Sequence, residues 1–157
     1  MIEQKIGEYL IKNKLTLSTS ESCTGGLLSS RLTDVAGSSA YITLNFITYA
    51  YDAKIKILNV NPTTLQNFGA VSEECVTEMA KGTILATKSD IALCTSGVAG
   101  PGASENKPAG TLWVAISYKD KIYTRKYQLS PEIERIEMKK QFTQKALDFL
   151  WEILKQP

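Results

Sequence analysis

Apolar residues recur every three or four positions near both ends of the chain, which is the spacing of one buried helix face. The first stripe predicts a helix over residues 2–14. The second, over residues 133–153, predicts a long last helix with Ser130 as N-cap and Pro131 at the first helical position. Shorter helices are predicted over residues 24–33, 52–58, 61–69 and 72–88, the last three with N-caps at Asp52, Asn61 and Ser72.

Runs rich in β-branched and aromatic residues predict five strands, over residues 15–20, 41–51, 91–95, 111–118 and 121–129. The dipeptide Lys119-Asp120 separates the last two and predicts a tight hairpin, so the sheet is not purely parallel. Strands that alternate with helices predict an α/β fold. We expect a three-layer α/β/α sandwich with a mixed, mostly parallel sheet, in one domain over residues 1–157.

Composition narrows the class of protein. Of the 157 residues, 43% are apolar and 22% are charged, which is ordinary for a globular protein. The net charge of +2 comes with scattered lysines and gives no support to nucleic-acid binding. No apolar run approaches the ~20 residues that cross a bilayer, and the chain starts on an amphipathic pattern instead of a signal peptide, so we expect no membrane association.

The cysteine and histidine counts restrict the chemistry. The chain has three cysteines, Cys23, Cys75 and Cys94. Their odd number and the absence of a CxxC pair argue against a disulfide framework and a structural zinc site. Free thiols fit a reducing cytoplasm, where we expect the protein to be. Because the chain has no histidine, a Ser–His–Asp or Cys–His site is impossible within it, and an activated serine needs another base.

The segment 20–26 (SESCTGG) lies between a predicted strand and a predicted helix. It predicts a tight glycine turn at a helix N-terminus, where backbone N–H groups favour anions and nucleophiles. Ser22 is either a helix N-cap or a nucleophile. Cys23 is either a small core residue or a thiolate whose pKa the helix N-terminus lowers. Because neighbouring side chains point in different directions, only one of the two is expected to face a pocket.

Two further loops, 49–54 and 96–102, are expected beside this turn, because ligands bind at the C-terminal ends of parallel strands in open α/β sheets. Lys54 is either a solvated charge or, if it is buried, a neutral amine that serves as the base for Ser22. Lys56 lies on a different side of the same predicted helix, so only one of these lysines is expected to point towards the site.

The loop 96–102 (SGVAGPG) offers unhindered N–H groups for a phosphate or an oxyanion, although glycine-rich loops are most often only turns. It is neither a Walker loop nor a Rossmann GxGxxG motif. Glu21 and Arg135 complete the charged candidates. Glu21 is suited to orient a substrate hydroxyl or the lysine, and Arg135 is suited to pair with a phosphate.

Read together, these segments resemble one known family, the CinA-type C-terminal domain or nicotinamide-nucleotide amidase family. The matching segments are residues 20–26 (SESCTGG), 34–39 (DVAGSS), 47–54 (ITYAYDAK), 69–73 (GAVSE), 96–102 (SGVAGPG) and 107–111 (KPAGT). The match is ordered along nearly the whole chain and is weaker after residue 129.

The resemblance implies hydrolysis of the carboxamide of nicotinamide mononucleotide, giving nicotinate mononucleotide and ammonia, without a metal or other cofactor. The family's nucleophile falls on Ser22 and its lysine on Lys54. A tyrosine falls on Tyr49 and a hydroxyl residue on Ser96, and we expect both to keep Lys54 neutral and oriented. The only expected partner is the small nucleotide substrate, with homo-oligomer formation left open.

Substrate and oxyanion contacts are expected from the remaining candidates. The predicted contacts are Glu21, Thr24, Gly25, Gly26, Gly97, Gly100 and Arg135. Which glycine loop holds the phosphate and which holds the oxyanion stays open. A second basic position near Arg135 falls on Lys139.

Two segments depart from the family pattern. Residues 103–107 (ASENK) replace a version that is often glycine-rich, and residues 131–135 (PEIER) lack the Gly-Asp that commonly precedes the arginine. Both bear on substrate identity more than on fold. Because the match begins just after Met1, we expect the stand-alone form of the domain. Two rival functions stay open: a nucleotide-binding or regulatory module without turnover, and an amidase for another small carboxamide.

Overall fold

The computed structural model describes all 157 residues, which form six α-helices and five β-strands. The helices are α1 (Ile2–Asn13), α2 (Leu27–Thr33), α3 (Tyr51–Leu58), α4 (Pro62–Phe68), α5 (Glu73–Thr87) and α6 (Arg135–Leu154). The strands are β1 (Leu17–Glu21), β2 (Phe46–Ile47), β3 (Ile91–Gly97), β4 (Thr111–Tyr118) and β5 (Lys121–Gln128).

The five strands form one mixed sheet in the order β2-β1-β3-β4-β5. Strand β1 pairs in parallel with β2 and β3, whereas β3–β4 and β4–β5 are antiparallel. The predicted α/β fold with a mixed sheet is confirmed, but two of its four strand pairs are antiparallel, so "mostly parallel" overstated the parallel part. The reason is the return from β3 to β4, which is a loop without the crossover helix that a parallel connection needs.

Helices cover both faces of the sheet. On one face α1, α2 and α6 pack over Ile91 and Leu93, and on the other α3, α4 and α5 pack over Ala92 and Cys94. Alternate residues of β3 therefore belong to different cores, as expected for a sheet that is buried on both faces. Gly82 permits the close contact of α5 with α3, because a Cβ there would overlap the main chain of Leu58.

Several local predictions are confirmed. The Asn61 side chain caps α4 by accepting from Thr63 N–H, and Ser72 caps α5 by accepting from Cys75 N–H. Lys119 and Asp120 both have left-handed backbone, with φ of 53° and 61°, as a two-residue hairpin turn requires.

Four predicted element boundaries are wrong. Of residues 41–51 only Phe46–Ile47 forms a strand, because neighbouring donors of β1 bond elsewhere: Thr19 N–H donates to the Asn45 side chain. Helix α3 begins at Tyr51, so Asp52 lies in its first turn and is not the N-cap.

Helix α6 begins at Arg135, because Ser130 closes a separate turn by accepting from Glu132 N–H. Helix α2 begins at Leu27, three residues after the predicted start, since residues 22–26 form the turn itself.

Candidate active site

The three predicted loops meet at the C-terminal ends of β1 and β3. Together they line a pocket of about 170 Å³. Its lining includes Ser22, Tyr51, Lys54, Ser96, Gly97 and Glu105. A second pocket of about 180 Å³ lies beside it and shares Cys23, Tyr49, Gly97 and Ser104 with it. The site therefore has two adjoining compartments.

Lys54 is the centre of the first compartment. Its side chain is fully buried, and its Nζ lies 2.9 Å from Ser22 Oγ. It also donates to the backbone carbonyls of Thr48, at 2.8 Å, and Tyr49, at 2.9 Å. No carboxylate forms an ion pair with it. Burial lowers the pKa of Lys54 from the ordinary lysine value.

This arrangement suits a neutral amine. A neutral amine has two N–H bonds and one lone pair, and two carbonyls accept the two N–H bonds. The lone pair then lies towards Ser22 Oγ, whose hydroxyl proton it can accept. Lys56 on the same helix is exposed, so only Lys54 points into the site, as the helical spacing predicts.

Cys23 is buried in the core and is not activated. Of the two alternatives for Cys23, the structure favours the core residue over the thiolate, because burial raises the pKa of Cys23 to about 12. Its sulfur lies against Gly97, on the side of the sheet that α6 covers. Only Ser22 of this adjacent pair reaches Lys54. All three cysteines are free and buried.

Glu21 and Thr24 face the protein interior and not the pocket. The Glu21 carboxylate is fully buried and accepts from the hydroxyls of Thr24 and Ser29 and from three backbone N–H groups, of Gly26, Leu28 and Ser29. It thereby caps α2, whose N-cap residue is a glycine without a side chain. Thr24 Oγ1 is also within hydrogen-bond distance of Thr95. The predicted substrate contacts of both side chains are corrected to structural roles.

The glycine turn before α2 is one of the two loops that the sequence offers for the phosphate, but its glycine N–H groups are already used. Gly25 N–H donates to the Ser22 carbonyl and Gly26 N–H donates to Glu21, so neither is free for a ligand. By contrast, the N–H groups of Cys23 and Thr24 donate to no acceptor in the structure. The sequence does not show that these two N–H groups are free, because the hydrogen bonds within the turn decide which of its donors remain unpaired.

Tyr49 and Ser96 lie in the site but do not contact the Lys54 amine through their side chains. Tyr49 contributes its backbone carbonyl to Lys54, while its hydroxyl accepts from Arg135 at 3.2 Å. Ser96 is buried at the pocket wall and makes no hydrogen bond to Lys54. The expectation that both side chains orient Lys54 is therefore wrong. The backbone carbonyls of Thr48 and Tyr49 orient Lys54 instead. A side-chain pattern in the sequence does not predict backbone contacts of this kind.

Arg135 brings α6 into the second compartment. Its guanidinium donates to the Gly100 carbonyl and to the Tyr49 hydroxyl. Gly97 and Gly100 line the same compartment, and their contact with a substrate stays a prediction. The Lys139 side chain, one turn later on α6, lies beside Gly25, and its amine makes no hydrogen bond or ion pair. Arg135 is therefore the cation that lines this compartment.

Comparison with known proteins identifies the family. The family model described as the CinA C-terminal domain matches residues 1–154. The CinA-like proteins of Chlorobium limicola and Chloroherpeton thalassium are each 43% identical over 99% and 98% of this chain. The chain belongs to the CinA C-terminal domain family. It spans 37% of the length of each of these two relatives.

Solved structures of the CinA superfamily have the same fold. One from Klebsiella pneumoniae, titled a competence-damaged protein (CinA) superfamily protein, superimposes with a TM-score of 0.93 at 34% identity, covering 98% of this chain and 95% of that one. The competence/damage inducible protein CihA from Agrobacterium tumefaciens gives a TM-score of 0.89 at 34% identity, covering 99% and 97%. In this CinA-family chain no helix is long and apolar enough to cross a membrane.

Proposed function

We propose that this chain hydrolyses the carboxamide of nicotinamide mononucleotide to nicotinate mononucleotide and ammonia. The observation that carries the proposal is the 2.9 Å contact between Ser22 Oγ and the fully buried Lys54 Nζ. A serine paired with a desolvated lysine is a nucleophile and base that needs no histidine. The two carbonyl partners of Lys54 support the orientation of its lone pair towards the hydroxyl.

The reaction proceeds through an ester of Ser22. Lys54 takes the hydroxyl proton while Oγ attacks the carboxamide carbon. The C–N bond then breaks, and the proton on Lys54 passes to the leaving nitrogen, which departs as ammonia. The amine, neutral again, takes a proton from a water molecule, whose oxygen attacks the ester carbon. The C–Oγ bond then breaks, Lys54 returns that proton to Ser22 Oγ, and the product acid loses its own proton to solvent to become a carboxylate.

The oxyanion of each tetrahedral intermediate needs donors beside Ser22. The N–H groups of Cys23 and Thr24 fit this requirement, since they follow the nucleophile directly and have no other acceptor. Loss of one such donor typically lowers the rate by ~10²–10³. The second compartment, which Arg135 lines, is suited to the nucleotide phosphate.

The test is ammonia release from nicotinamide mononucleotide by the purified chain and four variants. Ser22→Ala and Lys54→Met are each expected to abolish release while circular dichroism and thermal unfolding show a folded protein. Cys23→Ala, which changes the neighbouring buried residue, is expected to retain turnover, and Lys56→Met controls for loss of a lysine on α3. Activity in Ser22→Ala combined with its loss in Cys23→Ala would reassign the nucleophile.

Two rival functions give different results in the same assay. Saturable binding of the nucleotide by a folded chain that releases no ammonia would favour a binding or regulatory module. Ammonia release from other small carboxamides, with none from nicotinamide mononucleotide, would keep the Ser22–Lys54 chemistry and change the substrate.

A further inference from the structure

Residues 103–107 form a tight turn whose central residue has an uncommon backbone conformation. Ser104 and Lys107 exchange two backbone hydrogen bonds, of 3.0 and 2.8 Å. Between them Glu105 and Asn106 have left-handed backbone, with φ of 53° and 60°. Asparagine adopts this region readily, whereas a long side chain such as glutamate seldom does. Other contacts of Glu105 must therefore compensate.

Four donors hold the Glu105 carboxylate. Ala70 N–H and Val71 N–H donate to it at 2.8 and 3.0 Å, and Lys107 Nζ donates at 3.2 Å. The fourth donor is the Tyr51 hydroxyl. Although burial acts to raise it, these hydrogen bonds lower the pKa of the Glu105 carboxyl, so it stays ionised at neutral pH.

The seat of this carboxylate is built around it. A Cβ at position 69 would overlap the carboxylate, so Gly69 leaves the space that Glu105 fills. Burial, together with the hydrogen bond to Glu105, raises the pKa of Tyr51 to about 12, so Tyr51 stays a donor. Ala70 and Val71 lie 35 and 34 residues before Glu105 in the chain. Their hydrogen bonds to its carboxylate are therefore specific long-range contacts.

These contacts reach the catalytic candidates. Glu105 and Tyr51 line the same pocket as Ser22 and Lys54. Tyr51 is the first residue of α3, and Lys54 lies one turn later on the same side of that helix. The carboxylate thus joins the 103–107 turn, the segment that precedes α5, and the start of the helix that carries the base.

We propose that Glu105 is a positioning residue for the amidase reaction, whose carboxylate latches the 103–107 turn to α3 and so fixes one wall of the Ser22–Lys54 pocket. This inference rests on the proposed function. It requires the carboxylate itself, because every group in the seat is a donor. A glutamine of the same size presents an NH₂ group to donors and does not replace it.

The first experiment measures kcat/KM for nicotinamide mononucleotide in Glu105→Ala, Glu105→Gln and Tyr51→Phe. We expect a loss on the order of tenfold to a hundredfold in the two Glu105 variants, since several charge-assisted hydrogen bonds are lost, and a smaller loss in Tyr51→Phe. Added formate, which can occupy the empty seat, is expected to restore part of the activity of Glu105→Ala but none of Glu105→Gln. Glu132→Ala, which removes an exposed acid on a neighbouring loop, is the control.

The second experiment does not depend on turnover. Hydrogen exchange of the Ala70, Val71 and Lys107 amides is expected to accelerate in Glu105→Ala and to slow again with formate. Unchanged exchange, or full kcat/KM in Glu105→Ala beside an active wild type, overturns the latch. A wild type that binds the nucleotide without releasing ammonia overturns the proposed function instead. If Glu105→Ala fails to fold, Tyr51→Phe and Glu105→Gln still decide between these outcomes.

Discussion

The Glu21 carboxylate, at the end of β1, accepts hydrogen bonds from both the backbone N–H and the hydroxyl of Ser29 in α2, at 3.1 and 2.7 Å. Glu21 is fully buried, and no cationic side chain pairs with it. The helix-start N–H groups balance its charge instead. The turn that carries Ser22 is therefore fixed between a strand and a helix that share one carboxylate.

Replacing this carboxylate is expected to destabilise the fold. Glu21→Gln leaves the size unchanged but turns an NH₂ group towards groups that all donate, so at least one buried donor loses its acceptor. We expect the free energy of unfolding in urea to fall by about 2–3 kcal/mol. Glu8→Gln, which changes an exposed acid on α1, is expected to have no measurable effect. Equal stability of the Glu21 variant and the wild type would contradict the capping role.

The stability of the protein is expected to depend on pH through Lys54. Folding lowers the pKa of this lysine below 10.5, so the unfolded chain binds the proton more tightly than the native one. The free energy of unfolding therefore rises with pH between the lowered native pKa and the ordinary lysine value, and a tenfold change in the acid constant on folding contributes about 1.4 kcal/mol. Chemical unfolding of the wild type and Lys54→Met across this range measures the difference, with Lys56→Met as control. Parallel curves for the wild type and Lys54→Met would show that the lysine is not desolvated.

The proposed reaction has its own pH dependence. Lys54 must be neutral to take the Ser22 proton, so kcat/KM for nicotinamide mononucleotide is expected to rise with pH along an acid limb. Because burial lowers the pKa of Lys54, this limb is expected below the range in which an exposed lysine titrates. Steady-state rates across the neutral and alkaline range measure it. A limb in the ordinary lysine range would contradict a neutral base.

Thr48 separates a backbone role from a side-chain role. Its carbonyl accepts from Lys54, while its hydroxyl is the one buried side-chain polar atom without a hydrogen-bond partner. Thr48→Val keeps the carbonyl and the shape and removes the unpaired hydroxyl. We expect unchanged ammonia release and a stability equal to the wild type or higher by up to about 1 kcal/mol in thermal or urea unfolding. A large loss of activity would mean that the hydroxyl itself acts in the site.

The architecture could be predicted from local pattern, and its errors have local causes. Short segments of sequence are enough to predict the helical stripes, the Asn61 and Ser72 caps and the Lys119-Asp120 turn. The structure contains all of them. The strand predicted over residues 41–51 fails because β propensity does not reveal which donors of β1 pair with backbone and which with Asn45. The start of α6 was misplaced because Ser130-Pro131 suits a turn as well as a helix N-terminus.

In the site, residue types pointed to Ser22 and Lys54, but burial and hydrogen bonding assigned the rest. Glu21 has the chemistry of a substrate ligand, yet the fold directs it to the start of α2. Glu105 lies in residues 103–107, a segment that the sequence marks only by its departure from the family pattern. Its seat consists of backbone N–H groups and a tyrosine more than thirty residues away, which no local signal connects to it.

Two of the three hydrogen-bond partners of Lys54 Nζ are peptide carbonyls, at Thr48 and Tyr49. No side-chain replacement at those positions deletes a carbonyl, so these two hydrogen bonds do not depend on which side chains stand there. Among the hydrogen bonds of Lys54 Nζ, a single substitution removes a partner atom only at Ser22, and substitution of Lys54 removes the amine itself.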